Sequence, residues 1–295
     1  MASGLLLLFL ALAEPPPTSV ADDITVVGTR ETPDDTRRQA QAYVRQMGVA
    51  AGETPAARWV DPICPRAIGV APAIAAQVAA RVRAIAAAHD VPVARPRCRT
   101  NIVISFTADA SGLVQRIARR SSRPLAQVPV TDRDALLGGT APVRWWYETG
   151  VRGRDGIPAS DIPPPMAGTN GFGGPILANG DQNSFVQHYT SSLISTQAVR
   201  AITGATVVVD VERASGISLD AVAAYAALVA LAEVRVRDPA PRGSILALFE
   251  GRGGRDLTAQ DSAFLSGLYD LPLDRHARQH RSRLVRALIM EQEPD

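Results

Sequence analysis

The sequence predicts a mixed α/β or α+β domain in which amphipathic helices pack on a sheet. Three observations support this prediction. The segment 72–89 has the apolar stripe of an amphipathic helix, and a β-branched strand follows it at 102–107. A buried strand at 206–211 and an apolar helix at 219–234 repeat the alternation nearer the carboxyl end. Alternating helices and strands are typical of layered α/β and α+β folds.

The composition is that of a globular chain. It has 295 residues, of which 46% are hydrophobic and 20% are charged, so it can bury a sizeable core. The formal net charge is +2, and this near balance argues against a strongly nucleic-acid-binding surface. All 31 basic residues are arginine, a bias that we attribute to codon usage in a GC-rich genome.

Residues 1–21 have the features of a signal peptide. The apolar run 5–13 is too short to span a bilayer but has the length of a signal-peptide core. We expect cleavage after Ala21, which ends a small-x-small site. A buried core helix, which a run of this length also fits, is the alternative. The run lacks the basic residue that precedes the apolar core of a typical signal peptide. The prediction is a periplasmic or secreted protein, and no later apolar run reaches the roughly 18 residues of a transmembrane segment.

Cys64 and Cys98 are the only cysteines, and we predict a disulfide between them. An even number of cysteines in an exported chain favours a bridge. It would tie the segment before helix 72–89 to the edge of strand 102–107. Two buried free thiols are the alternative. Without a nearby histidine the pair fits neither a zinc site nor a redox motif.

The mature chain divides into a tail with a short helix at 22–57 and one globular domain at 58–290. Thr32 is the expected cap of the short helix, which runs to about Gln46. The remaining predicted elements of the domain are helix 111–120, strands 143–147 and 185–193, an apolar turn at 244–249, a helix that begins at a Thr258–Asp261 capping box, and a last helix at 274–290.

Residues 150–180 are rich in glycine and proline and are expected to form a long loop, because they cannot form a long regular element. Long irregular segments inside compact domains are functional or disordered. A lid over a substrate or partner and a merely mobile loop are both open. The glycine spacing at 168–174 lacks the Lys-Ser/Thr end of a phosphate loop, which argues against a nucleotide site.

The first nine residues of the mature chain, 22–30, read Asp-Asp-Ile-Thr-Val-Val-Gly-Thr-Arg. They resemble the mature amino terminus of TonB-dependent outer-membrane receptors, whose short box pairs as a strand with TonB. The resemblance implies an envelope protein partner bound by β-strand addition. A solvated tail is the alternative. The rest of the chain lacks the long series of alternating strands of a receptor barrel.

The segment 205–270 resembles the carboxyl-terminal half of zincin-type metalloproteases, and it is similar to uncharacterised exported bacterial proteins with the same ending. The resemblance rests on the order of strand, buried helix, apolar turn and capped helix, and it implies a zincin-like fold. In that family the buried helix carries the HExxH motif, whereas Tyr225, Ala226 and Val229 stand at the His, Glu and His positions here. Alanine and valine offer no donor atom, so the resemblance implies a metal-free copy. An ordinary buried helix in an unrelated fold is the alternative.

His188 and Asp210 are the candidate catalytic residues. Asp210 ends a buried strand, where sites lie in α/β sheets, and triads assemble in space rather than in sequence. No G-x-S-x-G elbow marks a nucleophile, and an aspartate that caps the next turn is the alternative role. His276 and His280 lie one helical turn apart, but the surrounding arginines repel a cation. We therefore expect no metal and no cofactor.

The leading hypothesis is a non-catalytic exported protein that acts by binding in the periplasm or the envelope. Its candidate binding features are the 150–180 loop and the strand that carries Trp145 and Trp146. The alternatives are an exported hydrolase with a site near His188 and Asp210, and an inactive metalloprotease-like protein.

Overall fold

A five-stranded sheet organises the computed structural model, which describes residues 32–153, 177–178, 185–186, 198–235 and 239–292. The strands of the sheet are β1 Arg58–Trp59, β2 Pro65–Ile68, β3 Ile102–Thr107, β4 Val143–Gly153 and β7 Ala198–Asp210. Two short strands, β5 Leu177–Ala178 and β6 Phe185–Val186, pair antiparallel in a separate sheet.

β7 is the central strand of the large sheet. β4 pairs antiparallel along one edge of β7, whereas β1 and β3 pair parallel along the other edge, and β2 lies outside β3. The predicted mixed α/β fold class is confirmed. β4 and β7 are longer than predicted, and the first residues of the 150–180 loop belong to β4 as far as Gly153. Residues 154–176, 179–184 and 187–197 lie outside the described residues.

Helices cover both faces of this sheet. In the described part of the chain they are α1 Pro33–Met47, α2 Pro72–Ala88, α3 Ala110–Arg120, α4 Val130–Gly138, α5 Leu219–Leu231, α6 Ala259–Tyr269 and α7 Ala277–Gln292, with two short 3-10 turns at Arg123–Leu125 and Ile245–Glu250. The sequence did not predict α4, which buries Leu136 alone and therefore has no apolar stripe. No helix within these bounds is long and apolar enough to cross a membrane.

The two faces of the sheet carry different layers, because neighbouring residues of a strand point to opposite sides. On one face, Ile104 of β3 and Val207 of β7 join the main core together with α2 and α5. On the other face, Trp146 of β4 and Val208 of β7 pack with α3 and α4 in a smaller core. The connection from β2 to β3 thus covers one face, and the helix after β3 covers the opposite face.

α5 lies at the centre of the main core, and every residue from Ala221 to Leu231 is buried. Ser218 caps its amino end, because the Ser218 hydroxyl accepts a hydrogen bond from the Ala221 N–H (3.3 Å). Burial on all sides requires an apolar surface all round the helix. The sequence supplies it with alanine, valine and leucine at nearly every position.

The buried carboxyl end of α5 is capped by aromatic side chains. A helix leaves its last four carbonyl groups without a partner inside the helix. The indole N–H of Trp59 donates to the Ala230 carbonyl (2.8 Å), and the hydroxyl of Tyr269 donates to the Leu231 carbonyl (2.7 Å). These bonds tie β1 and α6 to the end of α5.

The predicted disulfide between Cys64 and Cys98 is present, with Cα atoms 6.0 Å apart. It joins the residue before β2 to the loop before β3, and the Cys64 N–H donates to Asn101 Oδ1 beside it (2.6 Å). The cysteines are 34 positions apart in the sequence. On the chain-entropy model, closing a loop of that length stabilises the fold by about 4 kcal/mol.

The compact unit begins at Pro33, whereas the sequence placed the start of the globular domain near Arg58. Tyr43 of α1 is 3% exposed and lies in the main core. After α1 the chain turns at Gly48, where φ is +68° and a Cβ would lie 2.3 Å from the Arg235 carbonyl oxygen. α1 therefore belongs to the domain and not to a tail.

A buried carboxylate, that of Asp261, holds α1, the second 3-10 turn and α6 together. The hydroxyls of Tyr43 and Ser244 donate to Oδ1, each at 2.6 Å. The N–H groups of Ile245 and Thr258 donate to Oδ2 at 2.8 and 3.0 Å, and the predicted capping box is present. These donors replace the hydration that the carboxylate loses on burial. Burial and the neighbouring Asp261 charge raise the pKa of Tyr43 well above its usual value.

We predict that Asp261→Asn lowers the free energy of unfolding by about 2–4 kcal/mol, because an amide cannot accept all four hydrogen bonds. Urea titration followed by circular dichroism measures the loss. Asp256→Asn is the matched control, since this exposed carboxylate pairs with Arg81 at the surface and its loss should cost under about 1 kcal/mol. Equal losses in the two variants would contradict the role given to Asp261.

Candidate functional site

Asp210 lies at the carboxyl end of β7, as the sequence indicated, and is 5% exposed. Its Oδ1 accepts a hydrogen bond from the Arg213 N–H (3.1 Å), and its Oδ2 lies 3.6 Å from Arg213 Nε. The Asp210 carbonyl accepts a hydrogen bond from the Ala214 N–H (2.9 Å). The residue therefore caps the turn after the strand, which is the alternative role that the sequence left open.

A buried arginine, Arg144 of β4, lies on the same face of the sheet as Asp210. Its Nη2 donates to Ser111 Oγ (2.8 Å) and to the Gly139 carbonyl. Its Nε and Nη1 have no hydrogen-bond partner among the described residues. Burial lowers the pKa of Arg144, and the charge of Asp210 acts in the opposite direction. Two opposite charges thus lie near the carboxyl end of β7, and within the described residues neither a hydrogen bond nor an ion pair joins them.

Among the residues that the structure describes, those at the carboxyl end of β7 do not make the contacts of a hydrolytic triad. A triad requires a carboxylate bonded to a histidine that is itself bonded to the nucleophile. The Asp210 carboxylate contacts Arg213, and the Ser111 hydroxyl accepts from Arg144. His188, the other candidate catalytic residue, lies outside the described residues.

Three aromatic side chains pack against one another between β4, α5 and the second 3-10 turn; we call them the aromatic cluster. The ring of Tyr225 meets the rings of Trp145 and Phe249 edge-on, with centroids 6.1 and 5.3 Å away. The Trp145 indole N–H donates to the Val234 carbonyl (2.9 Å). Burial raises the pKa of Tyr225. Trp145 and Phe249 are half-buried, so the cluster reaches the surface.

Tyr147, two residues after Trp145, fixes the chain after α5. Its hydroxyl lies 2.6 Å from the Val229 carbonyl oxygen and 2.7 Å from the Ala232 carbonyl oxygen. The same hydroxyl accepts from the Val234 N–H (3.0 Å). Burial raises the pKa of Tyr147 well above its usual value, so the group is a neutral donor.

The three positions that the sequence analysis aligned with the zincin ligands lie inside this packing. Ala226 and Val229 are fully buried in the core, and Tyr225 belongs to the aromatic cluster. Nowhere in the described ranges do three or more His, Cys, Asp or Glu side chains come together as a metal site would require.

The two neighbouring tryptophans do not form one surface. Trp145 faces the main core and the aromatic cluster, whereas Trp146 is 4% exposed and packs in the smaller core under α3 and α4. The alternation of a strand places them on opposite faces. Of the two candidate binding residues, Trp145 is the one that reaches the surface beside Phe249.

The two histidines of the last helix differ in burial. His276 is exposed, whereas His280 is fully buried. His280 Nδ1 accepts from the Ala56 N–H (3.1 Å), and its Nε2 lies 3.0 Å from the Pro272 carbonyl, to which it donates. Both ring nitrogens are therefore occupied by backbone groups, and burial lowers the pKa of His280. The pair shares no ligand position.

Two shallow cavities lie elsewhere on the surface. The first, of about 550 Å³, is lined by residues that include Arg58, Trp59 and Leu271. The second cavity, of about 510 Å³, lies on the face of the sheet against which α3 packs. Its lining residues include Arg99 and Trp146. Asp210 lines neither of them, so these cavities offer no pocket for chemistry at that carboxylate.

Comparison with protein-family models, with curated proteins and with solved structures gives no match to this chain. Sequence reasoning missed the contact of Phe249 with Tyr225 and the burial of Arg144. Phe249 was visible as part of an apolar turn at 244–249, but its contact with Tyr225 joins residues from separate elements.

We predict that the stability of the protein falls as the pH is lowered below about 6.5. The pKa of His280 is lower in the folded chain than its ordinary 6.5, so the unfolded chain takes up the proton first. The contribution of neutral His280 to the free energy of unfolding is therefore fully present above pH 6.5 and is lost as the pH falls through the pKa of the folded chain. The free energy of unfolding should change by at most about 1.4 kcal/mol per pH unit on account of this group. Urea titrations at several pH values measure the slope.

Two variants separate this effect from other titrations. His280→Asn keeps an acceptor for the Ala56 N–H but does not titrate, so its slope should be smaller than that of the parent chain. His276→Asn removes an exposed histidine and should leave the slope unchanged. The buried His89, whose pKa is also lowered by burial, accounts for a residual slope. An undiminished slope in His280→Asn would contradict the assignment.

Proposed function

We propose that the protein is exported and acts in the periplasm or the envelope by binding, not by catalysis. The observation that carries this proposal is the packing around α5. Tyr225, which the zincin resemblance aligns with the first histidine of HExxH, packs with Trp145 and Phe249 in the aromatic cluster. A half-buried aromatic cluster is suited to contact a partner, because aromatic side chains bury large areas at little entropic cost.

The contacts of Asp210 favour this function over an exported hydrolase. Its carboxylate caps the turn to Arg213, and Ser111 is bonded to Arg144. A base bonded to a nucleophile is the arrangement that nucleophilic catalysis needs. An inactive metalloprotease-like protein remains compatible with the proposal, since such a copy would also act by binding.

Export is supported by two independent features of the chain. The apolar run 5–13 with its small-x-small sites has the form of a signal peptide. The Cys64–Cys98 disulfide suits an oxidising compartment. In this proposal residues 22–30 lie at the mature amino terminus and offer an extended segment to an envelope protein.

The export proposal predicts a processed and oxidised protein in the periplasm of a bacterial host. After fractionation, the mass of the purified chain should lack residues 1–21, and reductant should add the two hydrogens of one disulfide. A chain without residues 1–21 should stay in the cytoplasm with free thiols. An unprocessed chain in the cytoplasmic fraction would contradict export.

The non-catalytic proposal predicts no turnover by the purified mature chain. Casein and a p-nitrophenyl ester serve as substrates, each with added Zn²⁺ and with a chelator. The parent chain and Asp210→Asn, which keeps an acceptor for the turn, should both give the rate of buffer alone. Cleavage that depends on zinc or on Asp210 would overturn the proposal.

A further inference from the structure

One segment of the chain before and after β3 is rich in arginine and poor in acidic residues. Residues 91–125 contain seven arginines and a single acidic residue, Asp109, although the whole chain is nearly balanced with 31 basic and 29 acidic residues. Arg66, on the neighbouring strand β2, adds to them. Six of these side chains, which we call the arginine surface, are exposed and belong to Arg66, Arg95, Arg97, Arg99, Arg119 and Arg120.

The topology brings these six residues to one end of the sheet. Arg95, Arg97 and Arg99 precede β3, so they lie at its amino end. α3 follows β3 after a short turn at Asp109 and packs back on β3 and β7. Its carboxyl end, with Arg119 and Arg120, therefore returns to the amino end of β3.

The loop that carries three of these arginines is held in place by covalent and hydrogen bonds. Cys98 lies between Arg97 and Arg99 and is bonded to Cys64. Asn101 accepts from the Cys64 N–H and donates to the Pro62 carbonyl (3.1 Å). A loop fixed in this way loses little conformational entropy when it binds a ligand.

The arginine surface has free charge and an apolar neighbour. None of its six side chains takes part in an ion pair among the residues that the structure describes. On β2, Ile68 points to the same side as Arg66 and is 41% exposed. Cations beside an exposed aliphatic side chain match a layer of anionic groups above an apolar phase.

We propose that the arginine surface docks the protein on anionic phospholipid headgroups. The guanidinium fork pairs with two phosphate oxygens at once, and free guanidinium groups at one end of the sheet can reach several headgroups together. The choice of phospholipid as the source of phosphate rests on the proposed envelope location. The net charge of +2 provides no strong overall field, so binding depends on this local surface.

Vesicle flotation tests the proposal with the full mature chain. Vesicles of phosphatidylcholine mixed with phosphatidylglycerol should carry the protein, vesicles of phosphatidylcholine alone should not, and added salt should weaken the binding. The variant R95Q/R97Q/R99Q should lose roughly a hundredfold in affinity, the effect expected for three arginines near an anionic surface. Circular dichroism checks that the variant is folded.

A matched control removes the same charge elsewhere. R278Q/R283Q/R286Q changes three exposed arginines of α7 and should keep affinity within about threefold of the parent chain. Equal losses in the two triple variants would overturn the proposal, and so would absence of binding to the anionic vesicles. Equally tight binding to duplex DNA at the same salt would overturn it in favour of general polyanion binding. Each of these results is independent of the fractionation experiment, so docking and export can fail separately.

Discussion

The complete burial of α5 is the constraint on which the rest of the structure depends. A helix that is apolar on all sides needs neighbours on all sides, and its last carbonyl groups need donors that water cannot supply. The donors come from distant parts of the chain, since Trp59 precedes its acceptor Ala230 by 171 positions and Tyr269 follows α5. β1, β4 and α6 are thereby fixed around one helix end, and Asp261 then ties α1 and the second 3-10 turn to α6.

The same constraint determines what this region can do. The side chains that cover α5 from β4 are aromatic, and Trp145, Tyr147 and Tyr225 fill the space beside its inner face. A metal site there would require several polar side chains and an open coordination position. Aromatic side chains fill that volume instead, and Trp145 and Phe249 lie half-buried at its rim.

Local sequence patterns were sufficient to predict those elements that depend only on residues close together in the chain. The bounds of β3 match the predicted strand 102–107, and α2 ends one residue before the predicted end at 89. The capping box at Thr258 could be predicted because its two residues lie only three positions apart.

Other features depend on contacts between residues that are far apart in the chain. Tyr43 and Asp261 are 218 positions apart, and no periodicity in α1 indicates that it belongs to the core through that bond. The pairing of β4 with the full length of β7 likewise extends a strand through Thr149 and Gly150, where turn-forming composition suggested a loop.

The arginines illustrate why composition alone cannot assign a role. Arg144 is buried against Ser111, and Arg200 pairs with the buried Glu233 through two bonds of 2.8 and 2.9 Å, so these two serve the interior. The arginines around the disulfide are exposed and lack such partners in the described structure. The fold thus places some arginines in the interior with hydrogen-bond or ion-pair partners and leaves others exposed without such partners among the described residues. Acidic residues that pair with arginines elsewhere in the protein do not neutralise this surface. A chain with a net charge of +2 can therefore still present a basic surface at one end of its sheet.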